Sequence, residues 1–201
     1  NGDIAVTSSN TLFFINAGGS LIGEKQFSEN LQQPISAYLG DQDYPSIAVI
    51  SSSGKLLLYD RFEDISYSTQ KITHTDISIP AAGDIDGDGI SEIVITAQDK
   101  IYGFNPNASF ADYSPFPYYP RAAELSSCLI GDIDNDENND IIVSSSQGNI
   151  EAWDDSGEML SGFPLTTGSS YPVPPTLLDV DRDGDVEIAA ASERGVLYVW
   201  D

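Results

Sequence analysis

The stretch Asp84-Ile85-Asp86-Gly87-Asp88-Gly89-Ile90-Ser91-Glu92 carries acidic residues at its first, third, fifth and ninth positions. The same spacing returns in Asp132–Asp140 and in Asp179–Glu187, so that the first aspartates of the three copies lie 48 and 47 residues apart. Each copy is followed by an apolar run, which predicts a buried strand directly after the loop. The acidic string therefore defines both a candidate ligand set and a repeat period.

A hard cation such as Ca²⁺ takes six to eight oxygen ligands, and alternating aspartates can supply them when a short backbone segment curls around the ion. We predict side-chain ligands at positions one, three, five and nine of each loop and a backbone carbonyl ligand at position seven. The alternative is a set of solvated acidic turns without an ion. The three predicted Ca²⁺ sites consist of Asp84, Asp86, Asp88, Ile90 and Glu92; Asp132, Asp134, Asp136, Asn138 and Asp140; and Asp179, Asp181, Asp183, Asp185 and Glu187.

These loops differ from the EF-hand, whose twelve-residue loop lies between two helices and ends on a bidentate glutamate. Position twelve is Ile95, Val143 or Ala190, and each of these residues belongs to the apolar run. The loop is therefore expected to lead into a strand.

Pairs of apolar runs separated by turns recur along the whole chain and predict five β-hairpins. With two further β-like segments in each period, the arithmetic gives four short strands per repeat. Radial repetition of four-stranded sheets is a β-propeller, and no segment shows a helical period. We predict an all-β fold in which residues 1–201 form a single propeller region with repeats starting near residues 1, 35, 77, 125 and 173.

The first two repeats lack a complete acidic loop. The chain opens on Asn1-Gly2-Asp3, which corresponds to positions seven to nine, and the second loop, Asp41 to Ser46, is three residues shorter with serine at the closing position. We expect no metal in the second loop. Because the first repeat lacks its inner strand and the fifth its outer strand, we predict about four and a half blades, a fragment of a propeller with seven or so. The rival is a five-bladed ring closed by an unusual seam or by a second copy.

The formal net charge of −24 disfavours nucleic acid and anionic membrane surfaces as partners, because both attract basic patches. No apolar run reaches the length that spans a bilayer, so no membrane insertion is expected. Cys128, the only cysteine, lies in an apolar run and is predicted to be a packed core thiol. His74 is also alone, and we interpret it as a solvated strand or turn residue.

No catalytic motif accompanies the acidic loops, and a complete oxygen cage leaves no open coordination position, so we predict no enzymatic activity. The aromatic cluster of Tyr113, Phe116, Tyr118 and Tyr119 with Arg121 has two interpretations. It fills the gap between blades, which we favour, or it forms a glycan-binding face. The Asn107-Ala108-Ser109 sequon would accept a glycan in a eukaryotic secreted protein.

The pattern Gly-Asp-x-Asp-x-Asp-x-x-x-[Asp/Glu] before an apolar strand resembles the FG-GAP/VCBS-type propeller repeats, which also occur in integrin α-subunits. It is seen from Gly83 and Gly131, and from Leu178 with the glycine lost. The aromatic-proline steps Phe116-Pro117 and Phe163-Pro164 are similar to those of secreted microbial members.

The resemblance implies Ca²⁺ held in loops between the inner two strands of blades, in an extracellular or cell-surface protein that binds a protein or glycan ligand. The alternative that the resemblance leaves is the propeller portion of a secreted polysaccharide-degrading lyase or hydrolase. Glu137 departs from the pattern, because the other two loops have glycine at position six. Since glycine adopts a left-handed backbone freely and glutamate does not, we expect the fourth-repeat site to be the weakest.

Overall fold

The computed structural model describes residues 3–38, 44–60, 65–68, 72, 76–105, 116–121, 124–168 and 174–201. All regular structure within these ranges is β-strand, and they contain no helix, as the absence of a helical period predicts. The strands are β1 (Ile4–Ser8), β2 (Thr11–Ile15), β3 (Leu21–Gln26), β4 (Ile35–Ala37), β5 (Ser46–Ile50), β6 (Leu56–Asp60), β7 (Ile65–Ser68), β8 (Ala81–Gly83), β9 (Glu92–Ala97), β10 (Lys100–Phe104), β11 (Leu129–Gly131), β12 (Asp140–Ser144), β13 (Asn149–Trp153), β14 (Leu165–Thr166), β15 (Thr176–Leu178), β16 (Glu187–Ala191) and β17 (Leu197–Trp200).

The strands form five separate antiparallel sheets in chain order. Sheet 1 is β1-β2-β3, sheet 2 is β4-β5-β6-β7, sheet 3 is β8-β9-β10, sheet 4 is β11-β12-β13-β14 and sheet 5 is β15-β16-β17. Each strand pairs with its neighbours along the chain, so every sheet is a simple meander. The five predicted hairpins are confirmed. The full set of four strands per repeat is seen in sheets 2 and 4, whereas the other three sheets have three strands within the described residues.

Glycine at a left-handed position closes three of the five hairpins. The turns at Ser51–Gly54, Ser145–Gly148 and Ser192–Gly195 each have the glycine N–H donating to the serine carbonyl, at 2.8–2.9 Å. The three glycines have φ values of 83°, 78° and 74°, which glycine adopts without steric cost. A serine and glycine three residues apart are therefore the local signal that ends one strand and starts the next.

The first strands of sheets 2 to 5 lie beside one another, because β4 contacts β8, β8 contacts β11 and β11 contacts β15. Small residues allow this approach: a Cβ on Gly83 would lie 2.5 Å from Ile130 Cγ2, and one on Gly131 would lie 2.7 Å from Leu177 Cδ1. Real Cβ atoms do not come so close, so a larger residue before either of these acidic loops would force the side chain of the next sheet to move.

The hydrophobic core is divided among the gaps between successive sheets. One cluster of buried side chains lies in each of the four gaps, from Leu12 and Phe14 between sheets 1 and 2 to Ile142 and Ile188 between sheets 4 and 5. The strands β5, β9 and β12 are buried along their entire length, since both of their faces are covered. The end sheets differ, because apolar side chains such as Ile4 and Leu197 are 55% and 69% exposed.

A helix that is long and apolar enough to cross a membrane was not found in the described part of the chain.

Candidate metal centres

The three acidic loops occupy the same place in sheets 3, 4 and 5, and we number them by their sheets. The third loop is Asp84–Glu92, the fourth is Asp132–Asp140 and the fifth is Asp179–Glu187. Each loop follows the first strand and leads into the second, and its ninth residue is the first residue of that second strand: Glu92 of β9, Asp140 of β12 and Glu187 of β16. The prediction that the loop leads into a strand is confirmed. The closing carboxylate is thereby fixed to the regular part of the sheet, while the other acids lie on the curled segment before it.

Carboxylate oxygens converge in each loop. Three side chains of every loop place one oxygen each within 4.8 Å of the other two, a spacing at which one metal ion could be held. The converging groups contain three of the four carboxylates predicted for each site, and the fourth lies outside the group. They are Asp84, Asp86 and Glu92; Asp132, Asp134 and Asp136; and Asp179, Asp181 and Glu187.

Backbone N–H groups of the loop orient the carboxylates. The position-nine carboxylate accepts a hydrogen bond from the N–H of position two in every loop, at 3.0 Å for Ile85 N to Glu92 and 3.0 Å for Ile133 N to Asp140. Val180 N donates to Glu187 in the same way. The position-five aspartate likewise accepts from the N–H of position seven, as in Ile90 N to Asp88 Oδ1 at 2.8 Å. At Glu92 the backbone thus holds one carboxylate oxygen and leaves the other available to an ion, whereas Asp132 accepts backbone hydrogen bonds with both of its oxygens.

The third loop contains buried oxygen atoms that lack a donor. Asp84 Oδ1 and Glu92 Oε1 are both inaccessible to solvent and have no hydrogen-bond partner among the described residues. A buried acceptor without a partner costs free energy, and more when the group is charged. A cation coordinated by these two oxygens would remove that cost, so the residues fit a bound metal ion.

Burial and mutual repulsion make two of the closing carboxylates hard to ionise without a cation. Burial raises the pKa of Glu92 to about 7, and the negative charges of Asp86, Asp88 and Asp84 add to this effect, against the hydrogen bond from Ile85. Burial likewise raises the pKa of Asp140 to about 6, with the charges of Asp134, Asp136 and Asp132 contributing. A divalent cation favours the ionised forms and would lower both pKa values.

The backbone of each loop is left-handed at two positions. At position six, Gly89, Glu137 and Gly184 have φ values of 87°, 74° and 106°, which confirms the conformation expected there. Position four is also left-handed in Gly87, Asn135 and Arg182, a requirement that the spacing of the acids does not reveal. Glutamate and arginine adopt this region at a cost in free energy, so the fourth and fifth loops contain strain that the third loop avoids.

Neighbouring sheets also hold the third loop. Asn139 of the fourth loop donates from Nδ2 to the backbone carbonyl of Asp84 at 2.6 Å, and the N–H of Ser91 donates to the carbonyl of Tyr38 at 2.8 Å. Sequence reasoning missed Asn139, because its role depends on which loop lies beside its own. Its only local signal is a polar residue directly before the closing acid.

The other residues singled out from the sequence have mixed outcomes. Cys128 is 4% exposed within the core between sheets 3 and 4, and burial raises the pKa of its thiol, so it is a packed core residue as predicted. The glycan-face interpretation is wrong for Phe116 and Tyr118, which are 8% and 4% exposed and fill the gap between those sheets, whereas Tyr119 is exposed. Outside the described residues lie His74, Tyr113, the sequon at 107–109, residues 1–2 and residues 39–43 of the second loop.

Comparison with known sequences supports this description of the loops. Residues 84–143 match the model of the FG-GAP-like repeat, a segment that contains the third and fourth loops. The resemblance predicted from the acidic pattern is thereby confirmed. No curated protein matches the chain in sequence.

Solved structures share the fold. BBS1N, crystallised in complex with ARL6DN, superposes with a TM-score of 0.70 at 13% identity, over 98% of this chain and 60% of that one. BamB from Moraxella catarrhalis gives 0.57 at 13% identity, over 99% and 55%, and a Bacteroides caccae protein of unknown function gives 0.57 at 12%, over 100% and 69%. The chain thus spans about three fifths of the first of these structures. Identities this low support the fold alone.

The fold and the loops together define an all-β, propeller-like protein with acidic loops that could hold metal ions. Within it, residues 84–143 match the FG-GAP-like repeat.

Proposed function

We propose that this chain is a calcium-stabilised β-propeller scaffold of an extracellular or cell-surface protein, and that it presents loops to a protein or glycan partner. The observation that carries the proposal is the pair of buried oxygens without a hydrogen-bond donor, Asp84 Oδ1 and Glu92 Oε1, which belong to two of the three residues in a converging carboxylate group. Among the common divalent cations, Ca²⁺ suits the all-oxygen ligand set and tolerates its irregular geometry.

In this proposal the five sheets are complete or partial blades, about four and a half blades in all, of a propeller with seven or so. The apolar side chains exposed on the end sheets support it, since Ile4 and Val6 of sheet 1 and Leu197 and Val199 of sheet 5 lie where a further blade would cover them. A five-bladed ring that is closed by an unusual seam or by a second copy is the rival arrangement. Sedimentation at several concentrations tests the second-copy form, because only that form requires a dimer.

Calcium would act on the stability of the ring rather than on a reaction. Extracellular calcium modules bind with Kd values of roughly 10⁻⁴–10⁻³ M. At about 1 mM calcium, each site then stabilises the folded state by about 0.4–1.4 kcal/mol. Three such sites together would be enough to decide whether the blades stay folded.

A melting curve tests the proposal directly. We expect the midpoint to rise when 1 mM calcium replaces a chelator, and we expect calcium titration to give three equivalents. Magnesium should be less effective, because it requires a smaller octahedral site. Asp99→Asn, which removes an exposed acid outside the loops, is the matched control and should leave the calcium effect intact. An unchanged midpoint in calcium would contradict the proposal.

We propose a non-catalytic role. In the described residues, the carboxylates that converge are those of the loops, and backbone N–H groups hold one oxygen of several of them. Assaying acidic polysaccharides with calcium present tests this point, and turnover would favour the enzymatic alternative. Probing protein and glycan arrays in calcium and in chelator tests the proposed partner class, since binding should require calcium.

A further inference from the structure

Two contacts join the fourth loop to the third loop. Asn139 Nδ2 donates a hydrogen bond to the backbone carbonyl of Asp84 at 2.6 Å. One residue earlier, the side-chain oxygen Asn138 Oδ1 lies beside the left-handed bend at Gly87, where an added Cβ would come within 3.4 Å of it. Positions seven and eight of the fourth loop therefore lie against the first half of the third loop.

The peptide group between Asp84 and Ile85 is held at both of its polar atoms. Its carbonyl oxygen accepts the hydrogen bond from Asn139, and its N–H donates to Glu92 Oε2 at 3.0 Å. A donor on the carbonyl polarises the peptide group and strengthens the hydrogen bond that its N–H makes. Asn139 thus acts through one peptide group on Glu92, whose other oxygen, Oε1, is buried without a hydrogen-bond donor.

Asn139 also lies between two predicted ligands of its own loop. Asn138 at position seven is expected to coordinate an ion through its backbone carbonyl, and Asp140 at position nine through its carboxylate. Ligands on both sides would fix the backbone of the fourth loop at position eight. The amide of Asn139 then loses less conformational freedom when it donates to the third loop, so the hydrogen bond forms at a smaller entropic cost.

Without a cation, two features oppose the closed form of the fourth loop. Its three converging carboxylates, Asp132, Asp134 and Asp136, repel one another. Its backbone is left-handed at Asn135 and Glu137, with φ values of 59° and 74°, and such a conformation costs free energy at residues other than glycine. The position of Asn139 therefore depends on whether the carboxylates of the fourth loop hold an ion.

The fourth and fifth loops lack the matching hydrogen bond. Position eight of the fifth loop is Val186, whose side chain has no donor, so it cannot bind the carbonyl of Asp132 as Asn139 binds that of Asp84. The fourth loop contains the receiving half of the arrangement, since the N–H of Ile133 donates to Asp140 at 3.0 Å. The chain thus offers one linked pair of adjacent loops and one pair without this link.

We propose that Asn139 is a positioning residue that couples the third and fourth metal sites, so that calcium in either loop raises the affinity of the other, while the fifth loop binds independently. The inference rests on the proposed calcium-binding function and deepens it, because it assigns a form of regulation to the sites. Linkage requires the coupling to be equal in both directions. One net hydrogen bond corresponds to a change in affinity of about three- to tenfold.

A calcium titration of the whole chain, followed by backbone amide NMR signals, measures each site by itself. Gly89 reports the third loop, Asn138 the fourth and Gly184 the fifth. Asp134→Asn removes a converging carboxylate of the fourth loop, and we expect it to raise the calcium Kd at Gly89 about three- to tenfold. The same change in the fifth loop, Asp181→Asn, is the matched control and should leave the Kd at Gly89 unchanged.

Asn139→Ala separates the hydrogen bond from the general effect of charge. Removing a carboxylate also weakens calcium binding nearby by charge alone, and this contribution is present with or without the Asn139 amide. In the Asn139→Ala background, Asp134→Asn should therefore raise the Kd at Gly89 by only about twofold or less. Val186→Ala, at position eight of the fifth loop, should keep the full coupling. Equal effects of Asp134→Asn with and without Asn139 would overturn the proposal.

The same titrations separate a failure of the coupling from a failure of calcium binding. If calcium shifts the signals of all three loops and Asn139→Ala leaves the Kd at Gly89 unchanged, only the coupling is overturned. If calcium shifts none of them, the proposed calcium binding is contradicted and the coupling is overturned with it. Asn139→Leu keeps a side chain of similar volume without the donor, and it provides the same test if the alanine variant does not fold.

Discussion

The third loop, Asp84–Glu92, and the fifth loop, Asp179–Glu187, have the same acidic positions but different surroundings. The second residue of the third loop, Ile85, is completely buried in the core between sheets 3 and 4, whereas its counterpart Val180 is 52% exposed. Asn139 of the next loop holds the third loop, and no described sheet covers the fifth. Carboxylates at positions one, three and nine converge in both of these loops, and the neighbouring sheet determines how strongly the loop is buried.

The largest effect expected from this difference concerns pH. Because the pKa of Glu92 is raised to about 7 in the folded chain, the folded state resists ionisation that the unfolded state accepts. Without metal, the free energy of unfolding should therefore fall between about pH 4.5 and pH 7, by up to about 3 kcal/mol for this group. Urea titrations in chelator at several pH values measure it. Glu92→Gln should flatten this part of the profile; an identical profile would show that burial at the third loop has no such effect.

The second prediction concerns the residue before each loop. Gly83→Ala places a Cβ against Ile130 and should lower the free energy of unfolding by about 1–3 kcal/mol. At the matching position of the fifth loop, Leu178 is 41% exposed, so Leu178→Ala should cost less than about 1 kcal/mol. Denaturant unfolding of the two variants compares them. Equal costs would mean that close packing between sheets does not distinguish the loops.

The third prediction compares calcium binding at the two loops. Glu92→Gln and Glu187→Gln each remove a closing carboxylate, and each should reduce the stoichiometry from three ions to two. At about 1 mM calcium, either change should remove about 0.4–1.4 kcal/mol of calcium-dependent stabilisation. Calorimetry and melting in calcium and in chelator measure both quantities. Should Glu187→Gln leave the stoichiometry unchanged, the exposed fifth loop is not a metal site.

The smallest effect is expected from Glu137→Gly in the fourth loop. Glu137 has a φ of 74°, a conformation that costs a residue with a side chain more than it costs glycine. The glycine variant should gain about 0.5–1 kcal/mol of stability and bind calcium more tightly at that site. The converse change, Gly89→Glu in the third loop, is the matched control and should lose a similar amount. A loss of stability in Glu137→Gly would contradict the inference that the backbone at Glu137 is strained.

Much of the fold could be predicted because it depends on local spacing. Alternation and apolar runs identify strands, and in three hairpins a serine and a glycine mark the turn between them. All five hairpins lie where the repeats predict them. The converging carboxylates follow from the same regularity, since the acids of each site lie on one curled segment and on the first residue of the strand that follows it. The buried Cys128 was predictable from its apolar neighbours.

The burial and contacts that depend on a neighbouring sheet could not be predicted from local spacing. The acidic strings by themselves determined a repeating all-β chain with three clusters of oxygen ligands, because these features involve residues close together in sequence. Tertiary structure alone decided that Ile85 is buried and Val180 exposed, that Asn139 holds the loop before its own, and that Phe116 and Tyr118 fill the gap between sheets 3 and 4. The physical reason is that burial and ring stacking depend on which surface packs opposite, and that surface comes from residues about 50 positions away along the chain.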